Sequence, residues 1–305
     1  MMAATVQRPA EQRFLDPAVV ARIATLELRA RTIVEGFLSG LHRSPLKGFS
    51  VEFAEYRQYL PGDDLSTIDW KVYARSDRYY VKKYEEETNL RAHLLLDVSR
   101  SMTYGSGAMT KSEYGSCLAA SLAYLMNRQR DAAGLVTFDE QILGWLPPSI
   151  RPGHLRALLV TLDRLPPGAR TNAGRPLHQL ADALAKRGMV VLISDLLDEP
   201  ARVIDGLKHF RFRGNDVLVF HVLDRSELTF PFERPVRVRD LETGEEIMAT
   251  PSDVRDEYLA GIRGLIDTYR RELRSVGIDY QLINTHLPYD HALAAYLQRR
   301  ARTRR

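Results

Sequence analysis

Between Leu94 and Ile283 the chain alternates short, nearly continuous apolar runs with stretches whose apolar positions recur every three to four residues. Leu94–Val98, Ala133–Phe138, Met189–Ser194, Val217–Leu223 and Ile278–Ile283 are of the first kind, as expected for strands buried on both faces of a parallel sheet. Tyr114, Leu118, Ser121, Leu122, Leu125 and Met126 form one helical stripe, introduced by Thr110 and Glu113 as a capping box. Further helices are predicted near His154–Leu165, from Pro176 to Arg187 with Gly188 as a left-handed stop, and over Ala201–Phe212. A long one runs from a Ser252 cap to Ser275, where Gly277 ends it, and Asp290–Arg302 is the last. Gln141–Leu146 is expected to pair with the strand before it. Val236–Arg239 and Glu246–Ala249, joined through Thr243-Gly244, read as a surface hairpin within residues 230–250. Strand and helix alternating in this way predict an α/β domain with a doubly wound, mostly parallel sheet over residues 90–305.

Residues 1–89 follow another pattern. Asp16 as N-cap and Pro17 at the first helical position open a helix carrying Val20, Ile23, Leu26, Ile33, Val34 and Phe37, which Gly36 and Gly40 are expected to loosen. From Gly48 to Glu87 the chain breaks into short, aromatic-rich, strand-like pieces, Tyr79–Tyr84 among them, around the turn Pro61-Gly62-Asp63-Asp64. An N-terminal helix with a small β-rich accessory segment follows, with Arg57 expected to pair with Asp63, Asp64 or Asp69. The segment is expected to pack on the main domain, because its aromatics need burial and no flexible linker precedes Leu94.

Composition narrows the class. At 305 residues, 45% hydrophobic and 27% charged, the chain has room for one large globular domain plus an accessory unit. Cys117 is the only cysteine, which excludes an internal disulfide and a cysteine-based zinc cluster; beside the apolar stripe it reads as a small core residue. No run approaches the roughly 20 apolar residues of a membrane span, and Met1–Arg13 lacks the apolar core of a signal peptide, so a cytoplasmic protein is expected. Part of the net charge of +4 gathers at Arg299, Arg300, Arg302, Arg304 and Arg305, read as a solvated helix end that complements the dipole. The aromatics and cations of Trp70–Tyr84 would suit nucleic acid, but Glu85, Glu86 and Glu87 follow directly and would repel its backbone.

Candidate chemistry sits at strand ends, where doubly wound sheets bind ligands. One run finishes in Asp97-Val98-Ser99-Arg100-Ser101, another in Ser194-Asp195, and Thr171 lies in a loop just before a helix. Two carboxylates and three hydroxyls form an oxygen-only set suited to a hard cation, above all Mg²⁺, which keeps few direct carboxylates.

This set resembles the metal-ion-dependent adhesion site of von Willebrand factor A domains. The resemblance implies that Ser99, Ser101 and Thr171 supply hydroxyls and that Asp97 and Asp195 act directly or through water on Mg²⁺ or Mn²⁺. It also implies a Rossmann-type sheet and an open coordination position for a Glu or Asp of a partner protein. Upstream, the run Phe53-Ala54-Glu55-Tyr56-Arg57-Gln58-Tyr59-Leu60-Pro61-Gly62-Asp63-Asp64 continues to Ile68-Asp69-Trp70 and Ala74-Arg75. It is similar to the signature of the bacterial domain-of-unknown-function family 58, whose members join such a segment to a von Willebrand A-like domain. They are commonly encoded beside MoxR-type AAA+ ATPases. The implied role is non-enzymatic: an adaptor or chaperone-like module binding another protein, such as a MoxR-type ATPase or its client.

Enzymatic rivals find less support. A haloacid-dehalogenase-type phosphatase needs a second Asp two residues after Asp97, where Ser99 stands. The chain has no nucleophile motif and no Gly-rich phosphate loop ending in Gly-Lys-Ser/Thr. Metal-assisted hydrolysis is the remaining enzymatic alternative.

Overall fold

A computed structural model describes residues 16–43, 56–58, 80–82, 90–165, 168, 174–184, 187–239, 241 and 245–303. Helices α1 (Pro17–Val20) and α2 (Leu26–Arg43) lead to a two-stranded antiparallel pair, β1 (Tyr56–Gln58) and β2 (Tyr80–Lys82). Then come β3 (Arg91–Asp97), α3 (Lys111–Arg128), β4 (Ala132–Phe138), β5 (Ile142–Ser149), α4 (His154–Asp163), α5 (Gly174–Ala183) and β6 (Met189–Ser194). The chain continues through α6 (Pro200–Phe212), β7 (Asp216–Leu223), α7 (Arg225–Thr229) and the hairpin β8 (Val236–Arg239) with β9 (Glu246–Ala249). It closes with α8 (Pro251–Ser275), β10 (Asp279–Asn284) and α9 (Asp290–Thr303).

Six strands form one sheet in the order β10-β7-β6-β3-β4-β5, parallel except for the antiparallel edge strand β5. The chain leaves β3 for β4 and β5 on one side, then crosses back to place β6 on the other. The carboxyl ends of β3 and β6 therefore flank the topological switch point, the place where such sheets bind ligands.

Strand β6 shows why the sheet is covered on both faces. All six of its residues are buried. Met189, Val191 and Ile193 join a cluster with α2, α3, α4 and α9, while Val190 and Leu192 join one with α5, α6 and α8. A side-chain period of two sends alternate residues to opposite faces, and each fully buried aliphatic contributes on the order of 1.5–3 kcal/mol. The doubly wound expectation is met. Cys117 lies in the first cluster, where burial pushes its thiol up to about 11. Among the described residues no helix is long and apolar enough to cross a membrane.

Several local expectations change. Asp16 does cap α1, accepting from the Ala18 amide at 2.9 Å, but the chain then turns, and Arg29 bonds the Ile23 and Ala21 carbonyls across the turn. Helix α2 runs through Gly36 and Gly40 to Arg43. Burial of Ala30, Ile33, Val34 and Phe37 in the first cluster outweighs the roughly 1 kcal/mol that each helical glycine costs. Helix α5 ends at Ala183, before Gly188. That glycine is not left-handed; it is needed because a Cβ there would run into the Arg91 carbonyl of β3. Gly277, with φ +74, does supply the left-handed turn after α8. The cap of α8 is Thr250, with Pro251 at the first helical position, and Ser252 lies inside the first turn.

The C-terminal arginines are structural clamps. Arg299 pairs with Asp216 at 2.6 Å and Asp279 at 3.1 Å, and Arg300 grips Asp131 through two nitrogens at 2.5 and 3.1 Å. Both are buried, so the reading of a solvated basic tail fails at these two positions. Apart from β1 and β2, the expectations for Gly48–Asn89 fall outside the described residues: the Pro61–Asp64 turn, the pairing of Arg57 and the basic aromatic segment.

Candidate metal centre

Asp97 is the last residue of β3, Ser194 is the last of β6, and Asp195 follows it directly. Because β3 and β6 are adjacent and in register, the two ends meet. The Ser194 hydroxyl donates to one Asp97 carboxylate oxygen at 2.6 Å, and the Ser99 amide donates to the other at 2.9 Å. After β3 the chain turns through a 3₁₀ segment, Arg100–Thr103, which brings the Ser99 and Ser101 hydroxyls to 3.1 Å of each other. Asp97, Ser99 and Asp195 are sealed from solvent, whereas Ser101 is half-buried and marks the open side.

Burial, and next the charge of nearby Asp195, hold the Asp97 carboxyl well above the usual carboxylate range. Asp195 meets a cation supplied by the chain itself. The Lys111 ammonium lies 2.8 Å from Asp195 and 2.7 Å from Glu227 and has no solvent exposure. Burial alone would lower its pKa, but the two carboxylates outweigh burial and raise it, so the ammonium is charged. Two carboxylates, Asp195 and Glu227, thus share one lysine.

The donors suit a hard divalent ion. Oxygen ligands 2.0–2.1 Å from Mg²⁺ on neighbouring octahedral vertices stand about 2.9 Å apart, close to the Ser99–Ser101 separation of 3.1 Å. Among the described residues no cluster of three or more His, Cys, Asp and Glu is placed to hold a metal. The oxygens here are two carboxylates with hydroxyls, the chemistry of Mg²⁺ or Mn²⁺ rather than of zinc. Thr171 lies outside the described residues. Gly168, three residues earlier in the chain, donates its amide to the Val98 carbonyl at 2.7 Å, within the Asp97–Ser101 turn.

The profile of a family described as "Protein of unknown function DUF58" matches residues 55–264, more than half of the chain. The chain belongs to the DUF58 family. Uncharacterized proteins of Mycobacterium tuberculosis and Mycobacterium bovis are 27% identical to this DUF58 chain over 267 residues, covering 86% of it and 83% of their own length. Among solved structures, the conserved hypothetical protein BatB of Bacteroides thetaiotaomicron shares the fold at TM-score 0.50 and 17% identity, over 69% of this chain and 97% of its own. The von Willebrand A domain of SpRpn10 superposes at TM-score 0.38 and 15% identity, over 67% and 94% of the two chains, too distant to carry weight.

Of the five predicted donors, the DUF58 structure gathers Asp97, Ser99, Ser101 and Asp195 at one sheet edge. Ser194, named in the sequence as the residue before Asp195, belongs to the same network, as do Lys111 and Glu227, which were not anticipated. Lysine at the first position of α3 was a signal, since a cation opposes the helix dipole there. Asp224 and Glu227 form a capping box that opens α7, a helix the apolar pattern did not reveal. Asp224 anchors this part of the edge. Burial would raise its carboxyl, but the Ser106 hydroxyl and amide and the Ser226 amide and hydroxyl hold it down at about 2.

Proposed function

We propose that this DUF58 protein is a metal-dependent protein-binding module of the von Willebrand A type. Asp97, Ser99, Ser101, Thr171 and Asp195 would hold Mg²⁺ or Mn²⁺ directly or through water, and a carboxylate of a partner protein would complete the coordination. The observation that carries the reading is the convergence of Asp97, Ser99, Ser101 and Asp195 at the switch point, where Ser101 is only half-buried. Thr171 follows Gly168 by three residues, which span at most about 10 Å, so its hydroxyl is within chain reach of the turn after β3. A shell rich in neutral hydroxyls leaves the ion under-neutralised, and an incoming carboxylate is then favoured electrostatically. A MoxR-type AAA+ ATPase or its client is the partner we expect.

The test is affinity for the candidate ATPase in Mg²⁺, in chelator, and with Asp97→Ala, beside direct Mn²⁺ titration of the wild type. Binding should require both the ion and Asp97. Equal affinity in all three arms, with the fold intact, would leave the metal no part in recognition.

A further inference from the structure

Beside the candidate centre lies a cleft of about 760 Å³, within the size range of ligand sites. Its floor is polar: Lys111 and Glu227, with the hydroxyls of Ser101, Tyr104 and Ser226. Ser101 and Lys111 thus belong to the cleft and to the candidate centre at once. One wall is aromatic. Phe230 packs edge-on to Phe232 at 5.1 Å between ring centroids and tilted against Tyr258 at 5.0 Å. The β8 strand, whose Val238 is exposed, also lines the cleft, together with Leu197 and Leu241. Arg100 donates to the carbonyl of the lining residue Leu241 at 3.3 Å.

Two features point to an occupant. Lys111 is already matched by Asp195 and Glu227, so the unbalanced charge of the lining is that of Arg237 and Arg239, two exposed cations. Arg237 and Arg239 share Glu246 at 3.4 and 3.9 Å from exposed positions, where such pairs contribute little. The backbone is also strained in the lining, at Phe230, and next to it, at the buried Leu196 that precedes Leu197. Leu196 and Phe230 have φ of 51 and 43, a conformation that costs non-glycine residues on the order of 1–3 kcal/mol and gathers at ligand sites.

We propose that this cleft receives the aromatic side chain of an acidic peptide segment, the same segment whose carboxylate completes the metal centre. The proposal rests on the function proposed above and specifies its partner. Arg237 and Arg239, which have one carboxylate between them, attract the acid, and a fourth ring can add edge-to-face contacts to the three already there.

The probes are blocked pentapeptides with one Asp and, one to three residues away, either Phe or Ala, plus counterparts carrying Asn for Asp. Binding to the full chain is followed by NMR in Mg²⁺ and in chelator. At least one Phe peptide should bind about tenfold or more tightly than its Ala counterpart. Val238→Trp, which fills the mouth from an exposed position, should abolish that ratio and leave the Ala peptide unaffected. A Phe preference that persists with chelator and with Asn supports the aromatic pocket while removing the metal reading. Binding that needs Mg²⁺ and Asp but ignores Phe keeps the metal reading and overturns the cleft. Failure of every peptide to bind, or a ratio untouched by Val238→Trp, also overturns it.

Discussion

The Lys111 ammonium stands 2.8 Å from the Asp195 carboxylate, with both side chains sealed from solvent. Glu227, 2.7 Å from the same nitrogen, makes the lysine a bridge between the end of β6 and the start of α7. Removing one partner from a buried ionic network leaves the others uncompensated, at a cost of about 3–5 kcal/mol. Lys111→Met is therefore expected to lower stability by that order in urea melts with chelator present. Mg²⁺ should restore more stability to the variant than it adds to wild type, because the ion then supplies the missing positive charge. A loss under about 1 kcal/mol would show that the bridge is not built as described.

Arg300 and Asp131 make the corresponding statement for the C-terminus. The Asp131 side chain is fully buried and receives two guanidinium bonds from α9. Arg300→Met should cost about 3–5 kcal/mol, and the double variant with Asp131→Asn should regain part of that loss. Additive losses in the double-mutant cycle would mean that the two residues are not coupled.

The fold was legible because its strands are buried on both faces: the runs at Met189–Ser194 and Val217–Leu223 have no amphipathic competitor. Boundaries failed where tertiary contact overrode a local signal. Gly36 and Gly40 are breakers in isolation, yet α2 passes through them because its apolar stripe is covered. Gly188 was read as a helix stop, whereas its reason is the closeness of the β3 backbone, which no linear pattern encodes. At the site, the meeting of Asp97, Ser99, Ser101 and Asp195 was readable from their places at the ends of apolar runs. Lys111 was not, because its partners Asp195 and Glu227 are 84 and 116 residues away and only the sheet order brings them together.

His93, buried in β3, lies with its Nδ1 unpaired among the described residues. Burial, and then Arg91, lower its pKa from 6.5 to about 4. Between those values the unfolded chain holds a proton that the folded chain refuses. Its contribution to stability is therefore full above pH 6.5 and is lost as pH falls toward 4. The whole loss amounts to about 3 kcal/mol. Urea melts from pH 7 to 4 should show His93→Leu losing less stability than wild type over this window. Parallel curves for the two proteins would remove His93 from the acid response.

Asp97→Asn separates the electrostatics of the site from its shape. The amide oxygen can still accept from the Ser99 amide and its nitrogen can donate to the Ser194 hydroxyl, so the contacts at 2.9 and 2.6 Å have counterparts. What disappears is a carboxyl whose folded pKa is raised by burial and by Asp195. A raised carboxyl means that the folded chain binds the proton more tightly than the unfolded one. Wild-type stability should therefore fall, relative to the variant, as pH rises from about 4 through neutrality. In chelator near pH 8 the variant is expected to be the more stable protein. Mg²⁺ should reverse the order, since an ion at a hundred times its Kd adds about 2.7 kcal/mol to the protein that binds it and nothing to the one that does not. The measurement is a pair of melting series across pH, each with and without Mg²⁺. If Mg²⁺ shifts both proteins equally at every pH, the ion does not reside on Asp97, and the centre must be placed elsewhere on the sheet edge.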